Sequence, residues 1–166
     1  RAAEELYEPM VSFAQELIRR RSDTGHEKET ADAIYKEMQK LQFDVVDRDR
    51  TGNIIGILKG DGTADALMFN CHMDQVDPGD LSAWEYDPFG GETAEGYIHG
   101  RGASDTKGTI ATQIYTAALL KKLGVRLKRD LIFTFVVEEE PGDMWGAVRM
   151  YNDYLKDMRI TFCISG

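Results

Sequence analysis

The sequence predicts an α/β domain in three layers, with a central, mostly parallel but mixed sheet between helices. Three observations predict it. Leu131 to Val137 is nearly all apolar and β-branched or aromatic, the pattern of a strand buried on both faces. Ala66 to Cys71 is a second apolar run of strand length. Amphipathic helical segments alternate with these runs along the 166 residues. That length is one ordinary domain with a real core, and no repeat, low-complexity segment or interdomain linker divides it.

The elements follow in order. Leu6, Met10, Phe13, Leu17 and Ile18 recur at helical spacing over residues 3 to 20. Ser22-Asp23-Thr24-Gly25 is a turn with N-cap chemistry, expected to launch a second helix reaching about Leu41, with Ala31, Ile34, Met38 and Leu41 on one face. Phe43 to Asp49 and Asn53 to Lys59 read as strands joined through Arg50-Thr51-Gly52 in a hairpin. Residues 77 to 93 form a long connection rich in Gly, Pro and acid, whose Trp84, Tyr86 and Phe89 predict that it packs down. Tyr97 and Ile98 lie in a short strand. A helix over Thr106 to Leu123 carries Ile110, Ile114, Ala117 and Ala118, and Gly124 ends it. Asp143 to Tyr154 reads as helix and Ile160 to Ile164 as a last strand.

Composition narrows the function. With 20 Lys and Arg against 29 Asp and Glu, the formal net charge is -9, which disfavours nucleic acid and anionic membranes as partners. Hydrophobic residues at 42% and charged ones at 30% place the chain among globular domains. No stretch of 18 apolar residues occurs, and the start lacks a signal-peptide core. Cys71 and Cys163 each fall in an apolar strand pattern and read as buried free thiols in a reducing, cytoplasmic compartment.

The residues that bear chemistry stand at element ends. His72-Met73-Asp74 closes the apolar run before it. In an extended segment Asp74 lies on the same side as His72, where a carboxylate can fix the imidazole tautomer and free the other nitrogen for a metal. Asp105 lies among Gly96, Gly100, Gly102 and Gly108, just before a helix, where it could also serve merely as a cap. The glycine spacing fits neither a Walker loop nor a dinucleotide fingerprint. Glu138-Glu139-Glu140 ends the buried strand. As a bare turn it would be a solvated acidic patch. Beside a metal, one Glu can coordinate while its neighbour accepts a proton from water. An imidazole with several carboxylates suits a divalent ion such as zinc, and the pattern points to hydrolysis by metal-activated water. Ser104 has no paired His at a recognisable spacing, so a nucleophilic triad is disfavoured. No EF-hand loop occurs. His26 and His99 read as surface residues outside the site.

Four motifs resemble the di-zinc aminoacylase/carboxypeptidase family, which includes dipeptidases, acetylornithine deacetylase and succinyl-diaminopimelate desuccinylase. They are Phe69-Asn70-Cys71-His72-Met73-Asp74, Trp84 with Asp87-Pro88-Phe89, the stretch Gly100 to Gly108 around Ser104-Asp105-Thr106-Lys107, and the Glu cluster. The resemblance spans nearly the whole chain and implies a zinc-peptidase-like fold and an amide or peptide hydrolase acting on a small N-acyl amino acid or short peptide. It implies two Zn2+ ions, with Co2+ or Mn2+ as substitutes. His72 would bind one metal, Asp105 would bridge both, and Asp74 would orient His72. Glu139 would be the general base and Glu140 a ligand of the second metal, whereas a register shifted by one would give Glu138 and Glu139. It also implies a cis Asp105-Thr106 peptide and a homodimeric full-length protein. Residues 1–166 are expected to be the N-terminal part of the catalytic domain, with a lid and dimerisation domain and the C-terminal part outside them. The weighed alternative is a non-enzymatic fragment that keeps the fold but lacks ligands for stable metal binding.

Overall fold

The computed structural model describes residues 1–166. Helix α1 (Ala2–Arg19) and helix α2 (Lys28–Lys40) come first. The hairpin β1 (Val45–Arg48) and β2 (Ile54–Leu58) follows, then β3 (Ala66–His72). A small hairpin of β4 (Glu92–Ala94) and β5 (Tyr97–His99) leads to α3 (Gly108–Lys122). The chain closes with β6 (Leu131–Val136), α4 (Trp145–Met150) and β7 (Ile160–Ser165).

Five strands form one mixed sheet in the order β1-β2-β6-β3-β7. The pairs β1/β2 and β2/β6 are antiparallel, while β6/β3 and β3/β7 are parallel. The sheet is thus mixed but mostly parallel in direction: β1, β6, β3 and β7 run the same way, and β2 alone is reversed, returned beside β1 by the tight turn after Asp49. Strand β6 sits in the middle, and its alternation feeds both layers. Leu131, Phe133, Phe135 and Val137 face α1, α2 and α3. Ile132 and Val136 face Met150 and Leu155 on the other side. That two-sided burial is why the run shows no polar alternation. Phe133 stacks on Phe69 with centroids 5.1 Å apart and meets Phe43 edge-on at 5.6 Å.

Several expectations need correction. Ser22 and Thr24 do not cap α2, whose N-cap position is Glu27. Ser22 donates instead to the Met73 carbonyl and Thr24 to Asp74, tying the α1–α2 turn to the end of β3. Helix α3 begins at Gly108, after a π-turn over Ala103–Lys107. The helix after the acidic turn begins at Trp145, with Tyr151–Leu155 continuing as a π-turn. Cys71 is buried, but Cys163 is exposed, as is β7 from Thr161 to Ser165 within residues 1–166. The long connection does pack down: Tyr86 stacks on His99, Arg21 covers Phe89 and Arg101 covers Trp84. No helix is long and apolar enough to cross a membrane.

Candidate metal centre

Strands β3 and β6 run parallel and adjacent, with His72 opposite Val136. Their carboxyl ends therefore open at the same edge, and the segments that follow them meet there. His72 is the last residue of β3, and the Glu138–Glu140 turn leaves β6 beside it. The π-turn before α3 brings Asp105 in from a third element, anchored where Thr106 donates to the His72 carbonyl at 2.9 Å. The Asp105-Thr106 peptide is cis.

The result is a three-residue cluster. Ligand atoms of His72, Asp105 and Glu140 all lie within 4.8 Å of one another. Nε2 of His72 is 2.8 Å from Oδ1 of Asp105. His72 is buried, whereas the Asp105 side chain is 74% exposed, so the cluster opens to solvent. Beside it a cavity of about 150 Å³ is lined by Val76, Gly100 to Asp105 and Glu140. His26, Glu138 and Glu139 are outside the cluster, and His99 is occupied by its stack on Tyr86 and a 3.1 Å contact with the Ala94 carbonyl.

The orientation of His72 differs from expectation. Nδ1 contacts the backbone carbonyl of Asp74 at 2.9 Å, while the nearer Asp74 carboxylate oxygen is 3.4 Å away. The carboxylate is engaged elsewhere. It accepts the backbone N–H groups of Glu139 and Glu140 at 3.0 Å and the Thr24 hydroxyl at 2.9 Å. Asp74 is 1% exposed, so those amides hold a buried charge that would otherwise be costly.

Electrostatics follow from this packing. Burial by itself pushes the His72 imidazole down, but the carboxylates of Asp74 and Asp105 outweigh it and lift it to about 9. Burial raises Asp74, yet His72, the two amides and Thr24 hold it below the ordinary carboxylate range. Glu140 is raised by burial and by the negative charges of Asp105, Asp74 and Glu139, against the opposing pull of His72. A further buried cation, Lys107, braces the Asp105 loop by donating to the Arg20 carbonyl and to Gln75. Burial brings it down to about 7 despite nearby Asp23.

Sequence reasoning passed over Glu27, Asn53, Gln75 and Lys107, all of them buried. A Glu or Lys on an amphipathic or polar stretch reads as solvated, and only the fold reveals its burial.

A mixed sheet with an imidazole and two carboxylates gathered beyond parallel strand ends marks an α/β protein whose sheet edge carries a candidate metal-ligand set. The comparisons specify it: residues 68–166 match the model of peptidase family M20/M25/M40, and the chain belongs to that family. It is 34% identical over 134 residues to the uncharacterised protein YgeY of Escherichia coli K12, covering 81% of this chain and 33% of that protein. It is 28% identical over 165 residues to succinyl-diaminopimelate desuccinylase of Blochmanniella pennsylvanica, covering 96% of this chain and 43% of the enzyme. Human carnosine dipeptidase 1 superposes with a TM-score of 0.83 at 20% identity, over 98% of this chain and 39% of that one. The chain thus spans between a third and less than half of the length of these relatives.

Proposed function

We propose that the protein containing this chain hydrolyses an amide or peptide bond in a small N-acyl amino acid or short peptide. The observation that carries the reading is the convergence of His72, Asp105 and Glu140, from three separate elements, within 4.8 Å of one another in a chain of this family. The names of the desuccinylase and of carnosine dipeptidase support both substrate classes.

The donor set fits a divalent metal. One imidazole and two carboxylates are hard-to-borderline ligands, and they lie within 4.8 Å of one another, close enough to share a divalent ion. His72, Asp105 and Glu140 would hold a metal pair, His72 and Glu140 as ligands and Asp105 shared between the ions, with Zn2+ as the ion and Co2+ or Mn2+ as substitutes. When bound, the metal pair would polarise the scissile carbonyl and lower the pKa of the attacking water. The chain's own residues do the rest. With Nδ1–H donated to the Asp74 carbonyl, the neutral His72 ring presents the Nε2 lone pair to the cluster. Asp74 fixes the backbone of Glu139 and Glu140. Glu139 takes a proton from the attacking water and returns it to the leaving nitrogen. Because Glu140 rather than Glu139 joins the cluster, the geometry favours this register over the one shifted by one residue.

In this reading residues 1–166 are the N-terminal part of a catalytic domain in a homodimeric cytoplasmic enzyme. The test is zinc content and hydrolysis of N-acyl amino acids and dipeptides by the whole protein. Glu139→Gln is expected to lower turnover by at least about 10²-fold with the zinc retained. Glu140→Gln is expected to weaken zinc binding by about 10–100-fold. A zinc-loaded protein that cleaves neither substrate class, or a fully active Glu139→Gln, refutes the proposal.

A further inference from the structure

We propose that Glu27 and Asn53 are positioning residues which, with Asp74, set the reach of the Glu139 and Glu140 carboxylates. This rests on the hydrolase reading above. Four consecutive backbone amides follow the body of β6, and none of them is held by a strand neighbour. The Val137 N–H donates to Oδ1 of Asn53 at 2.9 Å. The Glu138 N–H donates to Oε1 of Glu27 at 3.1 Å. Asp74 takes the amides of Glu139 and Glu140 at 3.0 Å. The turn therefore hangs on three side chains from three places: the start of α2, the β1–β2 hairpin and the end of β3.

Each of the two new members has the marks of a built support. Asn53 is fully buried, and its amide group donates to Oδ2 of Asp49 at 2.7 Å and to the Gly146 carbonyl at 2.9 Å. It thereby pins both ends of the β6–α4 connection. Glu27 is 4% exposed and has no cationic partner. Its Oε1 accepts the amides of Gly25, at 3.0 Å, and Glu138, all of its support coming from backbone N–H groups. An apolar side chain of the same size would usually serve a core better than an unpaired buried carboxylate. The place where Glu27 acts is also the place where the turn needs an outside restraint, since Glu138 has a φ of +54°, a conformation uncommon for a residue with a side chain. Released from Glu27, Glu138 is free to relax, and the Glu140 carboxylate after it would swing from the cluster, with Glu139 displaced beside it. Side-chain supports of this kind typically change activity or metal affinity by about 10–100-fold when removed.

The experiment uses the whole protein with Glu27→Gln, Glu27→Asp and Glu27→Leu. Gln keeps an acceptor at the same reach. Asp keeps the charge but falls short by one carbon–carbon bond, about 1.5 Å. The Asp and Leu variants are expected to lose about tenfold or more in kcat with KM within about twofold, and Gln to recover most of it. In the metal-free protein, hydrogen exchange at the Glu138 amide should accelerate by about tenfold or more in Glu27→Asp, with the amides of α1 unchanged. Should Glu27→Leu fail to fold, Glu27→Asp decides. Full kcat in Glu27→Asp, a change confined to KM, or exchange that rises uniformly through the molecule overturns the proposal. Loss of activity in Glu139→Gln alongside a fully active Glu27→Asp would leave the hydrolase reading standing and remove only this one. Full activity in Glu139→Gln would remove the hydrolase reading instead.

Discussion

Replacing Asp74 by Ala tests whether a buried carboxylate organises the acidic turn. In the folded chain Asp74 is 1% exposed and accepts two backbone amides and one hydroxyl, at 2.9–3.0 Å. The hydroxyl of Thr24 can rotate to another acceptor, but the two amides cannot. Each hydrogen bond to a charged group contributes about 1.5–3 kcal/mol, and an orphaned half-buried amide costs about 1–3 kcal/mol. The two descriptions overlap rather than add, so Asp74→Ala should lose about 3–5 kcal/mol. Against a total stability of about 5–15 kcal/mol, that is a large fraction. Asp74→Asn keeps one carbonyl oxygen for the amides and should lose about half as much. Urea unfolding of the metal-free protein measures both, with hydrogen exchange locating the change at Glu139 and Glu140. A loss below about 1 kcal/mol for Asp74→Ala would refute the reasoning. A loss for Asn as large as for Ala would show that the charge, not the acceptor, holds the turn.

Three further outcomes follow from the same geometry. Metal ligation needs a neutral imidazole, and His72 in the metal-free protein stays protonated up to about pH 9, so Zn2+ affinity should rise about tenfold per unit between pH 6.5 and 8. Isothermal titration in buffers of different ionisation enthalpy would detect the released proton, and a flat affinity would contradict the assignment of His72 as ligand. Asp74 is depressed in the folded state, so its contribution is present above its unfolded value of about 3.9 and lost as pH falls through the lower folded value. Acid unfolding followed by tryptophan fluorescence should show a shallower acid limb in Asp74→Asn, and an unchanged limb would sink the idea. Phe133→Ala should cost about 3–5 kcal/mol in thermal or urea unfolding, because it empties the centre of the Phe43–Phe133–Phe69 stack. A loss below about 1 kcal/mol would mean that the site collapses to fill the space.

What the sequence alone determined was local. Period 3.6 marked α1, α2 and α3, and the unbroken apolar runs marked β3 and β6, because side-chain direction repeats with backbone geometry and burial follows direction. The same runs showed where strands end, which placed His72 and the Glu138–Glu140 turn at termini before any fold was known. Strand order was decided only in three dimensions. β6 lies beside β3 rather than beside β7, and that adjacency brings His72 and Glu140 into one cluster. Burial of polar residues was likewise invisible: Glu27, Asn53 and Lys107 look like surface residues until helices and loops from elsewhere close over them. Cys163 shows the converse, a residue in an apolar strand pattern that is exposed within residues 1–166, because an apolar run marks a strand but does not say which layers cover it. A local pattern records which residues want to leave water. Which charged groups can be buried depends on donors supplied from distant segments, and those partners exist only once the sheet is assembled.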